Sequence, residues 1–530
     1  MKSIKTLLVI AAAAMASQSA SADINNPITR AVIDTYTQQI EAHPDDYQTL
    51  MKRATEYYRN DETMSALSDI NDALEVIPAN DTDTRFRALS LRAAIYQDSG
   101  RNAAALDDLN AAIQINPTSY STVYQRANVN YLLANYSDAK DDFNRMRRIN
   151  SRSPEALIGL ARVAVKENNI GLANDYLNDA VSLDPSNAEV YARRASVKRL
   201  MNNASGAVDD LIIALSRDSR CRRAIDTLVE MSDGDYEIVI SGLTRAIAQA
   251  PDVVMFRYMR AMIAQHHYRY KDAIADYQAI IDSQSEGYLT VYVDMAECHY
   301  ALCEFDDALA AVNTALGIKG LNSTELLLAK AKILRAKGEA SSALDVAQQA
   351  LAINPDNNDA IVEVGLCAIA NKDYQRGADL FGEAMLNDPD KPYYFMLRAW
   401  ALNDYLNQPV AASGFYSQVS EMDNFDIDDV NSFKGFALLY GGYIYEAKAW
   451  MDNILRANTD NDGRLHYIAA CLYAAAGDTA TALDCVETAL TCGYANRYDW
   501  EQNTTARLNP APLRSLPRFR ALLTSHSSIF

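Results

Sequence analysis

The chain has 530 residues, with 49 Lys and Arg against 69 Asp and Glu and a net charge of −20. Such a balance repels phosphate backbones and argues against a nucleic-acid partner. Apolar residues make up 49% and cysteines number seven, so there is a core to bury and too little sulfur for a disulfide scaffold.

Lys2 and Lys5 precede a short apolar run from Leu7 to Met15, and Ala20-Ser21-Ala22 supplies small side chains for a cleavage site. This pattern predicts a signal peptide over 1–22 and an exported mature chain, periplasmic or extracellular. The run is too short to span a bilayer, and the longest later one, Tyr467 to Ala476, is about half a span. The mature chain is therefore expected to lack a transmembrane segment. Residues 23–45 read as an entry helix that stops at Pro44.

From there the chain repeats. Pro44 to Pro78 is 34 residues, Pro117 to Pro185 is 68, and Pro355 to Pro389 is again 34. A period of 34 is that of stacked helix–turn–helix units. Setting the register on one column of small residues (Ala54, Ala93, Ala127, Ala161, Ala195, Thr227, Ala261, Ala296, Ala331, Gly365, Ala399, Gly435, Ala470) leaves a second column as a test. Twelve residues on it reads Ala66, Ala105, Ala139, Ala173, Ala207, Val239, Ala273, Ala308, Ala343, Gly377, Ala411, Ala447 and Ala482. Two helices that pack about 8–10 Å apart need small side chains where they cross. Breakers such as Ser99-Gly100, Lys337-Gly338 and Gly477-Asp478 mark the turns between them.

Tyr96, Ala105, Leu109, Ala112 and Pro117, and again Leu157, Ala161, Ala173, Leu177, Ala180 and Pro185, follow an order that resembles the tetratricopeptide repeat (TPR) family. The resemblance implies an all-α, right-handed solenoid of about thirteen units. Units one to five would fill 46–219, a divergent unit or joint 220–251, and units seven to thirteen 252–494. The last stretch, 495–530, would cap the array with a final amphipathic helix. The sixth unit has Thr227 and Val239 in the small columns and Ser232-Asp233-Gly234 between them, which predicts a turn or irregular joint there and a change of curvature near 216–240.

Six units place Arg directly before the first small residue: Arg53, Arg92, Arg126, Arg194, Arg260 and Arg398. Sixteen residues later five of them carry Asp: Asp69, Asp108, Asp142, Asp210 and Asp276; the other seven units never do. The spacing predicts structural ion pairs across each helix crossing.

Signals for chemistry are sparse. The sequence has no phosphate-cradling loop, paired-His zinc helix or nucleophile elbow. Cys298, His299, Cys303, His266 and His267 match no structural zinc spacing, so neither a metal nor a cofactor is expected. The second Asp of Asp107-Asp108, Asp141-Asp142 and Asp209-Asp210 is already assigned to an Arg, which leaves no catalytic pair. Arg217, Arg220, Arg222 and Arg223 form a basic cluster in this acidic chain. The expectation is a non-enzyme.

In the resembled family the first helix of each unit lines a groove. Carried over, the groove positions are Met51, Thr55 and Tyr58; Tyr124, Asn128 and Tyr131; Tyr258, Met262 and Gln265; Val293, Glu297 and Tyr300; and Met396, Trp400 and Asn403. Rings interleaved with amides suit protein or peptide segments. A carboxylate clamp would need Lys where Tyr124 stands. The expected function is an exported scaffold or adaptor for protein or peptide partners; the alternative is a carrier or sensor for glycans or cell-wall fragments.

Overall fold

A computed structural model describes residues 27–283, 291–318, 323–422, 433–457, 463–505 and 509–530. The expected signal peptide lies outside them. Among the described residues there are 28 α-helices and no strand. The fold is an all-α solenoid in which each helix packs on its partner and on its neighbours in sequence. No described helix is long and apolar enough to cross a membrane.

The chain divides after Ala250 into two compact units. The first unit opens with α1 (Pro27–Ala42). Hairpins follow: α2 and α3 (Tyr47–Arg59, Thr63–Val76), α4 and α5 (Thr82–Asp98, Asn102–Ile115), and α6 and α7 (Tyr120–Leu132, Tyr136–Ile149). Next come α8 and α9 (Pro154–Lys166, Ile170–Leu183), α10 and α11 (Ala188–Leu200, Ala204–Arg217), and the long α12 (Arg222–Gln249).

The second unit begins at Pro251. Its hairpins are α13 and α14 (Val254–His266, Tyr270–Asp282), α15 and α16 (Val291–Ala301, Phe305–Leu316), and α17 and α18 (Ser323–Lys337, Ala340–Ile353). They continue with α19 and α20 (Asn358–Ala370, Tyr374–Asn387), α21 and α22 (Pro392–Asp404, Pro409–Glu421), α23 and α24 (Phe433–Tyr440, Ile444–Ala457), and α25 and α26 (Gly463–Ala475, Thr479–Thr491). The short α27 (Arg497–Glu501) and α28 (Pro517–Ser525) close it.

The small columns sit at the crossings. Ala54, Ala93, Ala105, Ala127 and Ala139 are fully buried in the first unit, as are Ala261, Ala273, Ala308 and Ala331 in the second. At Gly365 a methyl group would lie 2.6 Å from the Phe381 ring, so this crossing has closed onto bare backbone. Helices of this length are marginal alone, and burial against neighbours makes them persist.

Most hairpins turn in the same way. The residue seven places after the first small column has positive φ: Asp61, Gly100, Ala134, Asn168, Asn202, Tyr268, Cys303, Gly338, Lys372, Gly442 and Gly477. The next amide returns to a carbonyl five residues back, as from Asn135 to Asn130 at 2.8 Å, which satisfies the helix end. A left-handed residue ends the first helix and aims the chain into the second.

Two units depart from the expected register. In the eleventh, the positive-φ residue is Asn407, one place late, and Pro409 starts α22. The buried alanine is therefore Ala412, while Ala411 faces solvent, because the turn holds one extra residue. In the sixth, the expected turn at Ser232-Asp233-Gly234 is helical. The backbone instead leaves helical values at Asp235 (φ −124°, ψ 38°), which kinks α12. Beyond the kink Gly242 lets α12 approach Val208, where a methyl group would lie 2.4 Å from Val208 Cγ1.

Candidate functional site

The arginines before the first column fork onto the aspartates of the second helix. Arg53 holds Asp69 with Nε and Nη2 at 2.7 and 2.7 Å, and Arg92 holds Asp108 likewise at 2.7 and 2.7 Å. Arg126 reaches Asp142 at 2.9 and 2.7 Å, Arg194 reaches Asp210 at 2.8 and 2.7 Å, and Arg260 reaches Asp276 at 2.7 and 2.7 Å. All five aspartates are buried, and the bidentate geometry is the strong form of this bond. The hydrogen bond to Asp69 raises Arg53 above its ordinary pKa, and Asp108 and Asp210 do the same for Arg92 and Arg194.

A third donor of four of these arginines points backwards. Nη1 of Arg92, Arg126 and Arg194 donates to Asn71, Asn110 and Asn178 at 2.8, 2.9 and 3.0 Å, and that of Arg53 to Thr37 at 3.0 Å. Each acceptor belongs to the helix before the hairpin, so one guanidinium joins three helices. Arg398 differs. The extra residue of its turn brings Phe415 where the others have Asp, and the guanidinium lies over that ring at 5.1 Å.

In the first unit the groove positions on α6 remain accessible. Tyr124 is 39% exposed, and Tyr131 is half-buried with Tyr136 edge-on at 5.7 Å. Arg162 of α8 lies 4.1 Å over the Tyr131 ring and donates to Asn128 at 2.9 Å. Beyond it, Arg193 of α10 and Arg223 of α12 share Glu189 at 2.7 and 2.9 Å. Burial lowers Arg193, and Arg223 and Arg162 nearby add to that effect against Glu189. Two guanidiniums on successive first helices thus meet one carboxylate, and Arg162 acts on Arg193 from the helix before them. Of the cluster read from sequence, only Arg223 joins them; Arg222 turns to Asp226 at 3.5 Å, and Arg217 and Arg220 are exposed. Tyr58 stands apart, bonded to Asp98, and Met51 and Thr55 are half-buried.

In the second unit the groove positions face packed surroundings. Tyr258 is 4% exposed and donates to Asp294 at 3.4 Å; Tyr300 and Trp400 are 8% and 6% exposed, and Met396 is buried. Gln265 accepts from Tyr277 at 2.7 Å and donates to Glu297 at 3.4 Å, while Met262, Val293 and Asn403 are half-buried. Burial pushes Asp294 up to about 8, with Glu297 adding and the Tyr258 hydroxyl opposing. Arg335 of α17 pairs with Glu363 of α19 at 2.8 and 3.3 Å.

For metals, His299, Glu304 and Asp307 bring ligand atoms within 4.8 Å of one another at the start of α16. His299 already spends Nδ1 on Glu304 at 2.7 Å. Cys298 is buried in α15, and burial raises its thiol well above the ordinary range, against the thiolate a metal needs. All seven cysteines are free.

Two tetratricopeptide-repeat sequence profiles match the chain, one over residues 86–119 and the other over 334–401. The chain carries tetratricopeptide repeats. No curated protein matches it in sequence. Among solved structures it is similar to yeast Tom70 at 16% identity, covering 77% of this chain and 96% of that one, with a TM-score of 0.35. YrrB, a TPR protein with an unusual peptide-binding site, matches at 17% identity over 37% of this chain and 98% of its own, with a TM-score of 0.30. The anaphase-promoting-complex tetramer Cut9–Hcn1 matches at 15% over 84% and 87%, with a TM-score of 0.33. This TPR chain thus has two arrays of hairpins, each with its own first-helix face.

Proposed function

We propose that the protein is a non-catalytic scaffold that holds a protein or peptide segment on the first-helix face of residues 27–250, and that it works after export. The observation that carries this reading is the accessible patch of Tyr124, Asn128, Tyr131 and Arg162 with Arg193 and Arg223 beyond it. In a chain of net charge −20, Arg193 and Arg223 on one glutamate, with Arg162 close to Arg193, make a local attraction for carboxylate-bearing segments. Arg162 is held by a ring and an amide and is therefore pre-organised, which spares a ligand the cost of ordering it. Rings at Tyr124 and Tyr131 supply contact area with few rotatable bonds.

Affinity capture from an envelope fraction with the mature chain, followed by mass spectrometry, tests the reading. The expected result is a protein enriched by the wild type and lost with Tyr124→Ala, Tyr131→Ala and Arg162→Glu combined. Retention of that protein by the triple variant refutes the patch. Capture of glycan in place of protein returns the function to the carrier alternative.

A further inference from the structure

Residues 494–503 lie across the first-helix face of the second unit. The segment leaves α26 through Gly493, whose φ is +86°, and α27 then seats Tyr498 on Tyr300 of α15 with ring centroids 4.5 Å apart. The same ring stands 6.3 Å from Phe305 of α16, and Tyr494 meets Tyr268, in the turn after α13, at 4.8 Å. Tyr300 is thus buried by the far end of its own array, and Tyr498 adds to the burial that raises its hydroxyl.

The polar bonds of the segment close within the cap. Trp500 Nε1 donates to the Tyr494 carbonyl at 3.0 Å, Asn503 to Asp499 at 3.1 Å, and the Asp499 amide to Asn496 at 3.2 Å. The Tyr494 hydroxyl donates to Asp499, and Arg514 donates to the carbonyls of Trp500 and Asn503 at 2.9 and 2.6 Å. Across to α15 and α16 the contacts include ring faces and a pair of tyrosine hydroxyls, which water can satisfy on separation, and Arg497 faces the exposed Glu304 in the turn between them. Trp500 stays anchored on the other side, against Tyr467 at 4.9 Å and Phe519 at 6.2 Å. Burial raises the Asp499 carboxyl, and Arg464 of α25 and Lys332 of α17, the latter 4.6 Å from the Tyr300 ring, oppose that rise.

We propose that residues 494–503 are a tethered occupant of this face, a latch that swings off α15 and α16 and yields Tyr300, Phe305 and Lys332 to a partner segment of the same chemistry, aromatic rings flanking a carboxylate. This rests on reading first-helix faces as docking surfaces, but its test addresses the second unit alone, so failure of capture at Tyr124 and Tyr131 leaves it standing. In the full chain, amides of 497–503 exchange with deuterium at least about tenfold faster than those of α25, because the latch opens without unfolding the array. Tyr498→Ala, with helicity checked by circular dichroism, binds a labelled ten-residue peptide of the 494–503 sequence at least about tenfold more tightly than wild type does, since its own occupant no longer competes. Adding Tyr300→Ala removes that gain. Equal exchange in the segment and α25 overturns the proposal, as does a folded Tyr498→Ala that gains no peptide binding. If that variant fails to fold, the wild-type exchange comparison decides.

Discussion

Asp142→Ala removes the acceptor of the third arginine fork. The carboxylate is 3% exposed and takes two bonds from Arg126, at 2.9 and 2.7 Å, on the neighbouring helix. Loss of one partner from a fully buried pair costs about 3–5 kcal/mol, because the other charge stays behind unpaired. The Arg126 side chain retains 22% exposure and its bond to Asn110, so water can reach part of the stranded charge and the lower end applies, about 3 kcal/mol. For a cooperative unit of this size that is a fall of about 6–12 °C in melting temperature. The assay is thermal circular dichroism of the full chain, with Arg126→Met and the double variant completing a cycle. A coupling energy near zero, or a melt that stays within a degree of wild type, refutes the claim that the fork is interior and structural.

Three further outcomes follow from the turns, the crossings and the buried acid. Ala134 has φ of +61°, where a Cβ is strained, so Ala134→Gly stabilises the first unit by about 0.5–1 kcal/mol in urea titration. Gly365→Ala pushes a methyl group toward the Phe381 ring at 2.6 Å and destabilises the second unit by about 1–3 kcal/mol in the same titration. Asp294, raised by burial to about 8 from an ordinary 3.8, keeps a proton in the folded state that the unfolded chain has released. The stability this proton carries is whole below pH 3.8 and is lost as pH rises through about 8. Asp294→Asn should therefore gain little over wild type at pH 4.5 and progressively more up to pH 8, read from melts across that range. A gain independent of pH contradicts the buried-acid account.

Sequence reading reached what the repeat enforces at every unit. Close helix crossings favour Ala or Gly, and twelve recurrences among thirteen units make that preference visible. It missed Asn71, Asn110 and Asn178, although each lies five residues after the second small column. Asparagine is common on exposed helix faces, and only the third guanidinium donor gives it a partner. It misplaced Ala411 for Ala412 because no proline stands between Pro409 and Pro510, so nothing periodic marks the inserted turn residue. Aromatic positions were the hardest. Tyr131 and Tyr300 occupy the same place in their hairpins, yet one is half-buried and the other covered by Tyr498 from the end of the array. No local pattern on α15 records a neighbour so distant along the chain.

The late turn at Asn407 shows how this architecture handles a change in length. The surplus residue rotates α22 so that Ala412 takes the inner position, and the Arg398 side chain settles on Phe415. Within the next hairpin the spacing from Gly435 to Ala447 is again twelve. A compact globule would pass such an insertion through its whole interior, whereas here the disturbance dies out within a single repeat. A residue added to one turn of this chain is thus absorbed by its own hairpin, and the following hairpin keeps its fit.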